Sequence, residues 1–418
     1  MTKPFENTKE PRFDNAFIFD TPQKMFSVGA DVHTYGIYSA GVETYVTDGA
    51  GVEEYGNLRD GVSAGSFGGT QTAVFTSYRA YPSPEGFSHG MHSLDMDGGG
   101  DAYTGNISTD LWFQDATRRS YEIPYILGDN IYMWFTNRYG TFPAPTTYKH
   151  RLGKKTGSNW QDVTPAFVPD VNRSQFLGFM NGKALHLLDP VTSPQTYFTV
   201  DNNDNVVQLS GFTLEYAMGK TSIFSGNGYW TARLATPNVL SSYELQRYNY
   251  NGTATASDGV SYVYPGYGDF GVGLTDASFS VEEIANESTG KFYLILTRVS
   301  TGATKIYEYT PGTATPTIIS SFSIDAGYFV RIRALGNQGK MPLVLPTYRQ
   351  ASESNYGGTE PARIYVATTS GATFFGAAPT SEIYASRDYV TYSIDGTAVS
   401  MVSLDTTANK YIAYPVIP

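Results

Sequence analysis

The chain has no cysteine in its 418 residues, which excludes disulfides, thiolate metal sites and a cysteine nucleophile. Charged residues are scarce too, at 16%. No apolar run approaches the roughly 18 residues of a membrane-spanning helix, so membrane insertion is not expected. The opening MTKPFENTKEPRFDN has no apolar stretch behind its charges, and no ordinary secretory leader is expected there. Basic residues are outnumbered by acidic ones, 28 to 39, for a net charge of -11. That balance disfavours tight nucleic-acid binding, because backbone phosphates demand a basic surface. Runs of Ala, Leu, Glu and Lys with a 3.6-residue period, the mark of long amphipathic helices, are also missing.

What is abundant is strand- and turn-forming material. Gly (43) and Tyr (33) stand out beside Ser and Thr, a mixture that favours strands joined by tight turns. The stretch KFYLILTRVSTGATKIYEYTPG, residues 291–312, shows the pattern locally. Phe292, Leu294 and Leu296 fall on one face of an extended segment. After a polar S-T-G-A-T step, Ile306 and Glu308 alternate with Tyr307 and Tyr309. This predicts a β-hairpin.

The hairpin pattern recurs. Six related segments begin at Ala73, Ile131, Leu185, Tyr243, Ile306 and Ile364, spaced 58, 54, 58, 63 and 58 residues apart. A unit of that length holds four short strands and a longer loop. Single hairpins cannot bury a face alone, whereas blades around an axis cover both faces of every sheet. The expected fold is all-β, a β-propeller of about six blades over residues 71–418; tandem β-sandwiches are the alternative. Residues 1–70 read as an N-terminal arm or elaborated loop with one early strand at Ala16–Phe19. That strand is expected to close the ring against the C-terminal KYIAYPVIP. The arm has too little apolar patterning to fold alone and is expected to order against a neighbouring subunit.

Candidate site residues are few. His89, His92, Asp95, Asp97 and Asp101 lie in SHGMHSLDMDGGGD, where carboxylates would suit Ca²⁺ and the two imidazoles a transition metal. Asp and Gly are equally the material of a plain turn. The turn is the expected reading and no cofactor is expected, with Ca²⁺ as the alternative. The run DNNDN at Asp201–Asn205 lacks the later Gly and Glu of a Ca²⁺ loop and reads as a turn. Lys149, Arg151, Lys154 and Lys155 cluster in YKHRLGKKTGSNW, either as a solvated loop or as a contact patch for an acidic partner. The triplet Gly219-Lys220-Thr221 lacks the first glycine of a phosphate-binding loop, since position 214 is Leu. Trp112, Trp134, Trp160 and Trp230 could stack on sugar rings or simply pack.

Two hairpin stretches resemble the Asp-box (BNR) repeats of sialidase-like propellers. ATTSGATF, residues 367–374, keeps the Gly, Thr and aromatic positions as Gly371, Thr373 and Phe374, with Thr369 in place of the Asp. RVSTGATK, residues 298–305, keeps Gly302 and Thr304. VRIRALGNQGKMPLV is similar to the segment that carries a substrate-binding arginine in that family, which implies that role for Arg331. An active sialidase also needs an arginine cluster and a Tyr nucleophile with its Glu. No catalytic constellation of this kind can be assigned from the sequence, so an enzyme is not expected. In composition the chain resembles tail proteins of tailed bacteriophages. That resemblance implies a structural or adhesion component of a virion, in the tail, nozzle or tail tip. It would be assembled in the host cytoplasm with other virion proteins and could contact a host-surface glycan; the alternative is a carbohydrate-binding or glycan-cleaving propeller.

Overall fold

The computed structural model describes residues 24–26, 32–34 and, with breaks mostly between strands, 57–416; side-chain detail is confined mainly to residues 124–377. The fold is all-β, with one short 3-10 turn at Tyr267–Phe270 and no α-helix among the described residues. Among the described residues, seven antiparallel sheets of three or more strands follow one another along the chain. The first contains Asn57–Phe67, Thr70–Ala80, Phe87–Asp95 and Ala102–Thr104. The third contains Arg173–Met180, Lys183–Asp189, Thr196–Val200 and Val206–Gln208, and the fourth Thr221–Ser225, Gly228–Leu234, Tyr243–Tyr250 and Thr255–Ser257. The fifth contains Phe279–Ala285, Phe292–Arg298, Ala303–Tyr309 and Thr317–Ser323, and the sixth Tyr328–Val330, Leu343–Arg349, Arg363–Thr368 and Gly371–Ala377. The seventh has three strands, Tyr389–Tyr392, Val399–Asp405 and Lys410–Val416. In each of these, neighbours in the sheet follow one another in sequence, except that in the sixth the short strand Gly357–Gly358, paired elsewhere, lies between Leu343–Arg349 and Arg363–Thr368.

The second sheet follows the same plan with a broken first strand. Arg118–Tyr121 and Tyr125–Leu127 both pair with Asn130–Tyr139, which is followed by Thr147–Thr156 and Asn159–Asp162. Pro124, with no N–H to give to a ladder, sits at the break.

The sheets are blades. First strands of successive sheets lie side by side: Arg173–Met180 against Thr221–Ser225, that strand against Phe279–Ala285, and that one against Tyr328–Val330. The ring returns on itself where Tyr389–Tyr392 lies against Asn57–Phe67. A propeller arranges meander sheets around an axis in this way, and sandwiches do not. The sheets number one more than the six recurrent hairpins. Each recurrence falls on an interior strand of a different sheet, and the seventh sheet has no counterpart among them. The C-terminal KYIAYPVIP supplies the edge strand Lys410–Val416; its expected partner Ala16–Phe19 lies outside the described residues. Lys24–Phe26 pairs with Val32–Thr34 in a separate two-stranded ladder.

Period-2 alternation assigns each face to a neighbouring blade. On Lys183–Asp189, Ala184 and Leu188 pack with Tyr132, Trp134 and Phe198 between blades 2 and 3. Leu185 and Leu187 pack with Phe224 and Tyr229 between blades 3 and 4. In the fifth blade, Phe292, Leu294 and Leu296 share one cluster with Trp230, Tyr307 and Tyr309, as the alternation predicts. Ile295, opposite Ile306, is buried away from that cluster.

Tight turns hold the first two strands of four blades together. Gly68-Gly69, Gly128-Asp129, Asn181-Gly182 and Gly226-Asn227 are two-residue loops. Asn181 and Gly182 both have positive φ, 51° and 69°, as a type I′ turn requires. The S-T-G-A-T step completes the turn at residues 299–302, between Phe292–Arg298 and Ala303–Tyr309, and opens the second of those strands. There Gly302 has φ 73°, and a Cβ on it would lie 2.0 Å from the Ile324 carbonyl oxygen.

Candidate functional site: polar contacts between blades

The proposed metal residues divide between two settings. His89, His92 and Asp95 lie on the extended strand Phe87–Asp95, registered opposite Tyr78, Phe75 and Thr72. Asp97 and Asp101 lie outside the described residues, as do Arg331, Trp112, Gly219 and Lys220. Among the described residues no group of three or more His, Asp or Glu side chains is placed to hold a metal ion.

The basic cluster is a strand instead of a loop. Lys149, Arg151, Lys154 and Lys155 all lie on Thr147–Thr156, whose alternation separates Lys154 from Lys155. Arg151 Nε lies 3.5 Å from an Asp162 oxygen. Lys154 Nζ meets Asp204 Oδ2 at 2.5 Å. Lys155 is buried, its ammonium 5.8 Å from the Phe67 ring centre, and burial lowers its pKa. Arg151, Lys154 and Lys155 are therefore engaged with different neighbours and form no common patch.

Three of the four tryptophans pack. Trp134 and Trp230 are fully buried. Trp160 stands edge-on to Phe135 at 5.1 Å, in space that exists because position 153 is Gly: a Cβ there would fall 2.3 Å from the Phe135 ring. Those three are not a sugar platform.

DNNDN is the turn between Thr196–Val200 and Val206–Gln208. Asp201 Oδ1 accepts from the backbone N–H of Asn203 and of Asn205, each at 2.9 Å. Asp204, held at φ 63°, reaches back to the second blade. It accepts from Tyr132 Oη at 2.7 Å and from Lys154, pinning blade 3 to blade 2.

Tyrosine-to-carboxylate pins recur around the ring. Tyr243 donates to Glu283 at 3.0 Å, Tyr307 to Asp269 at 3.0 Å and Tyr365 to Asp325 at 2.9 Å, while Tyr262 donates to Asp258 within a single loop. Burial raises the pKa of each phenol, and the adjacent acids raise it further. For Tyr365 the result is about 12. A tyrosine nucleophile requires the opposite, a phenol eased toward ionisation. Held protonated, these tyrosines are donors that fix blade geometry.

Between blades 2 and 3 sits an aromatic joint built on His186. The side chain is fully buried and stacks on Phe198 with ring centres 4.9 Å apart. Trp134 Nε1 donates to His186 Nδ1 at 2.9 Å, and His186 Nε2 lies 3.0 Å from Tyr125 Oη. An indole N–H can only donate, so Nδ1 is the acceptor and the neutral ring carries its proton on Nε2, toward Tyr125. Burial brings the imidazole pKa down to about 3.

The corresponding joint between blades 4 and 5 is built on Trp230 and Arg247. Trp230 Nε1 donates to the Gly290 carbonyl at 2.9 Å, and Ser225 Oγ donates to the Asn286 carbonyl at 3.0 Å. Arg247 Nη2 donates to the Ser225 carbonyl at 2.6 Å, and the guanidinium lies 5.5 Å from the Trp230 ring centre. Nothing in YELQRYNYNG marks this arginine as buried.

No protein-family model matches the chain, and no curated protein sequence does. Among solved structures, the chain is similar to an oligogalacturonate lyase in complex with manganese, at 9% identity and a TM-score of 0.44, covering 88% of this chain and 98% of that one. It is also similar to the β-propeller domain of the Trilobed protease from Pyrococcus furiosus, at 11% identity and 0.38, covering 77% and 98%. TolB from Acinetobacter baumannii matches at 13% and 0.31, covering 82% and 79%. The propeller architecture of this chain rests on its own strand order and on the ring of neighbouring first strands.

Proposed function

We propose that this chain is a non-enzymatic structural or adhesion component of a bacteriophage virion, in the tail, nozzle or tail tip. The observation that supports a scaffold is the use of tyrosine and carboxylate side chains as pins between blades. Among the described residues, Asp204, Glu283, Asp269 and Asp325 each accept from a tyrosine in this way. The virion setting rests on composition, rich in Gly and Tyr with few charges and a net charge of -11. Its partners would be other virion proteins, against which residues 1–70 would order. The test is mass spectrometry of purified virions from the parent phage, in which stoichiometric copies of the chain are expected. Virions that lack it would overturn the reading.

A second reading, a glycan-binding propeller, has one observation in its favour. Phe374, in the hairpin similar to an Asp-box, is 54% exposed, and an exposed aromatic ring can stack on a sugar. Binding across a panel of host-surface glycans that is lost in Phe374→Ala would support it; no binding would remove it.

A further inference from the structure

Among the described residues, six buried side-chain atoms have no hydrogen-bond partner. Two of them, Nε and Nη1, belong to Arg247, and the other four sit on neutral side chains. Arg247 is only 1% exposed. A hydroxyl can rotate to find an acceptor, but a guanidinium keeps both its charge and its planar set of donors. Burial pulls its pKa down to about 10, with Tyr262 and Asp258 opposing the fall, so it stays protonated at neutral pH.

The nearby carboxylate does not satisfy it. Asp258 donates its backbone N–H to the Arg247 carbonyl at 3.0 Å. Its side chain is occupied elsewhere, Oδ1 by the Val260 N–H at 3.0 Å and Oδ2 by the Tyr262 hydroxyl. Asp258 thus attracts the guanidinium through space while bonding to its own loop. That loop continues through Gly259, at φ 76°, to the exposed pair Val263 and Tyr264. It is tied down by Gly312 N–H to Tyr262 Oη at 3.1 Å and by Val263 N–H to the Ala314 carbonyl at 2.8 Å. Across the joint, Gly290 lies beside the guanidinium: a Cβ there would stand in ordinary contact with Nη2, at 3.9 Å.

We propose that Arg247 is the seat of a small monovalent anion, a halide or a carboxylate, which takes the two open N–H groups. The chemistry selects this class. Nε and Nη1 are donors only, Trp230 offers no acceptor on its N–H, and the neighbouring cation Lys291 is paired with Glu308, so a single guanidinium charge suits a monovalent anion better than a phosphate or sulfate dianion. Because the free donors are shielded from solvent, an entering anion gains bonds without losing any that the guanidinium already makes. The proposal is independent of the virion setting.

The experiment uses the full chain in thermal melts at fixed ionic strength with fluoride, bromide or acetate as the sodium salt. Fluoride is the strongly hydrated reference; bromide and acetate separate a free halide from a carboxylate. For the wild type, bromide or acetate is expected to raise Tm by about 2 °C or more over fluoride through binding to the folded state. Arg247→Met keeps the buried stem and is expected to abolish the difference. Asp258→Asn, which removes a negative charge beside the seat, is expected to enlarge it. An equal anion response in wild type and Arg247→Met would overturn the proposal. Should Arg247→Met fail to fold, anomalous diffraction from wild-type crystals soaked in sodium bromide decides. A bromide peak within hydrogen-bonding reach of Nε or Nη1 supports the seat, and none there overturns it.

Discussion

Replacing His186 by Gln should flatten the acid sensitivity of the whole ring. In the unfolded chain the imidazole titrates near 6.5, whereas in the fold burial holds it at about 3. Between those values the unfolded state binds a proton that the folded state refuses. Stability is therefore complete above pH 6.5 and declines as pH falls toward 3. At about 1.4 kcal/mol per pH unit, moving from pH 7.5 to 5.0 removes ~2 kcal/mol from this one group. His186→Gln retains an acceptor for the Trp134 N–H and loses the titration. It also loses the stack on Phe198, so the variant is weaker at both pH values. The assay is urea unfolding of both proteins at pH 7.5 and 5.0. The wild type is expected to lose ~2 kcal/mol more than the variant over that interval. Asp201 and Asp325, whose pKa values are lowered from 3.8, titrate below the window and are common to both proteins. Parallel losses would refute the reasoning, because they would mean that His186 accepts its proton without unfolding.

Gly302→Ala, which forces a side chain at φ 73° against the Ile324 carbonyl, should cost more than about 2 kcal/mol. Gly312→Ala, with positive φ but open space around it, should cost about 1 kcal/mol; equal losses in denaturant titrations would contradict the packing at Gly302. Asp204→Ala removes the acceptor for both Tyr132 and Lys154 and should destabilise by about 2 kcal/mol, and a double-mutant cycle with Lys154→Met should show coupling of at least about 0.5 kcal/mol. Added Ca²⁺ or Zn²⁺ should leave Tm unchanged within about a degree; a clear rise that disappears in Asp97→Ala would establish the metal site in the His89–Asp101 segment.

The sequence reads most clearly where burial is two-sided. Interior blade strands are covered on both faces, so they carry dense Tyr, Ile and Leu patterns, and each of the six recurrences lands on one. Ala73, Ile131 and Leu185 mark second strands, whereas Tyr243, Ile306 and Ile364 mark third strands. Second and third strands are chemically alike, and the even spacing therefore mixes the blade repeat with a shift of one strand. A sharper marker was present in the turns Gly68-Gly69, Gly128-Asp129, Asn181-Gly182 and Gly226-Asn227, which occupy the same place in four successive blades. The site was less legible. Lys154 finds Asp204 fifty residues away, and its neighbour Lys155 turns to the opposite face, so a run of basic letters dissolves into unrelated contacts. Arg247 is concealed for the same reason: a residue's burial in a propeller is decided by the blade beside it, not by the letters flanking it.

The two tryptophans fully buried among the described residues also have an optical consequence. Trp134 sits in the joint between blades 2 and 3 and Trp230 in the joint between blades 4 and 5, each with its indole N–H bound to a different partner. Their emission comes from two apolar environments on separate parts of the ring. With Trp112, Trp160 and one of the pair replaced by Phe, the fluorescence of the remaining tryptophan follows the opening of a single joint. Loss of the ring can then be timed joint by joint, distinguishing blades that part together from blades that part in sequence.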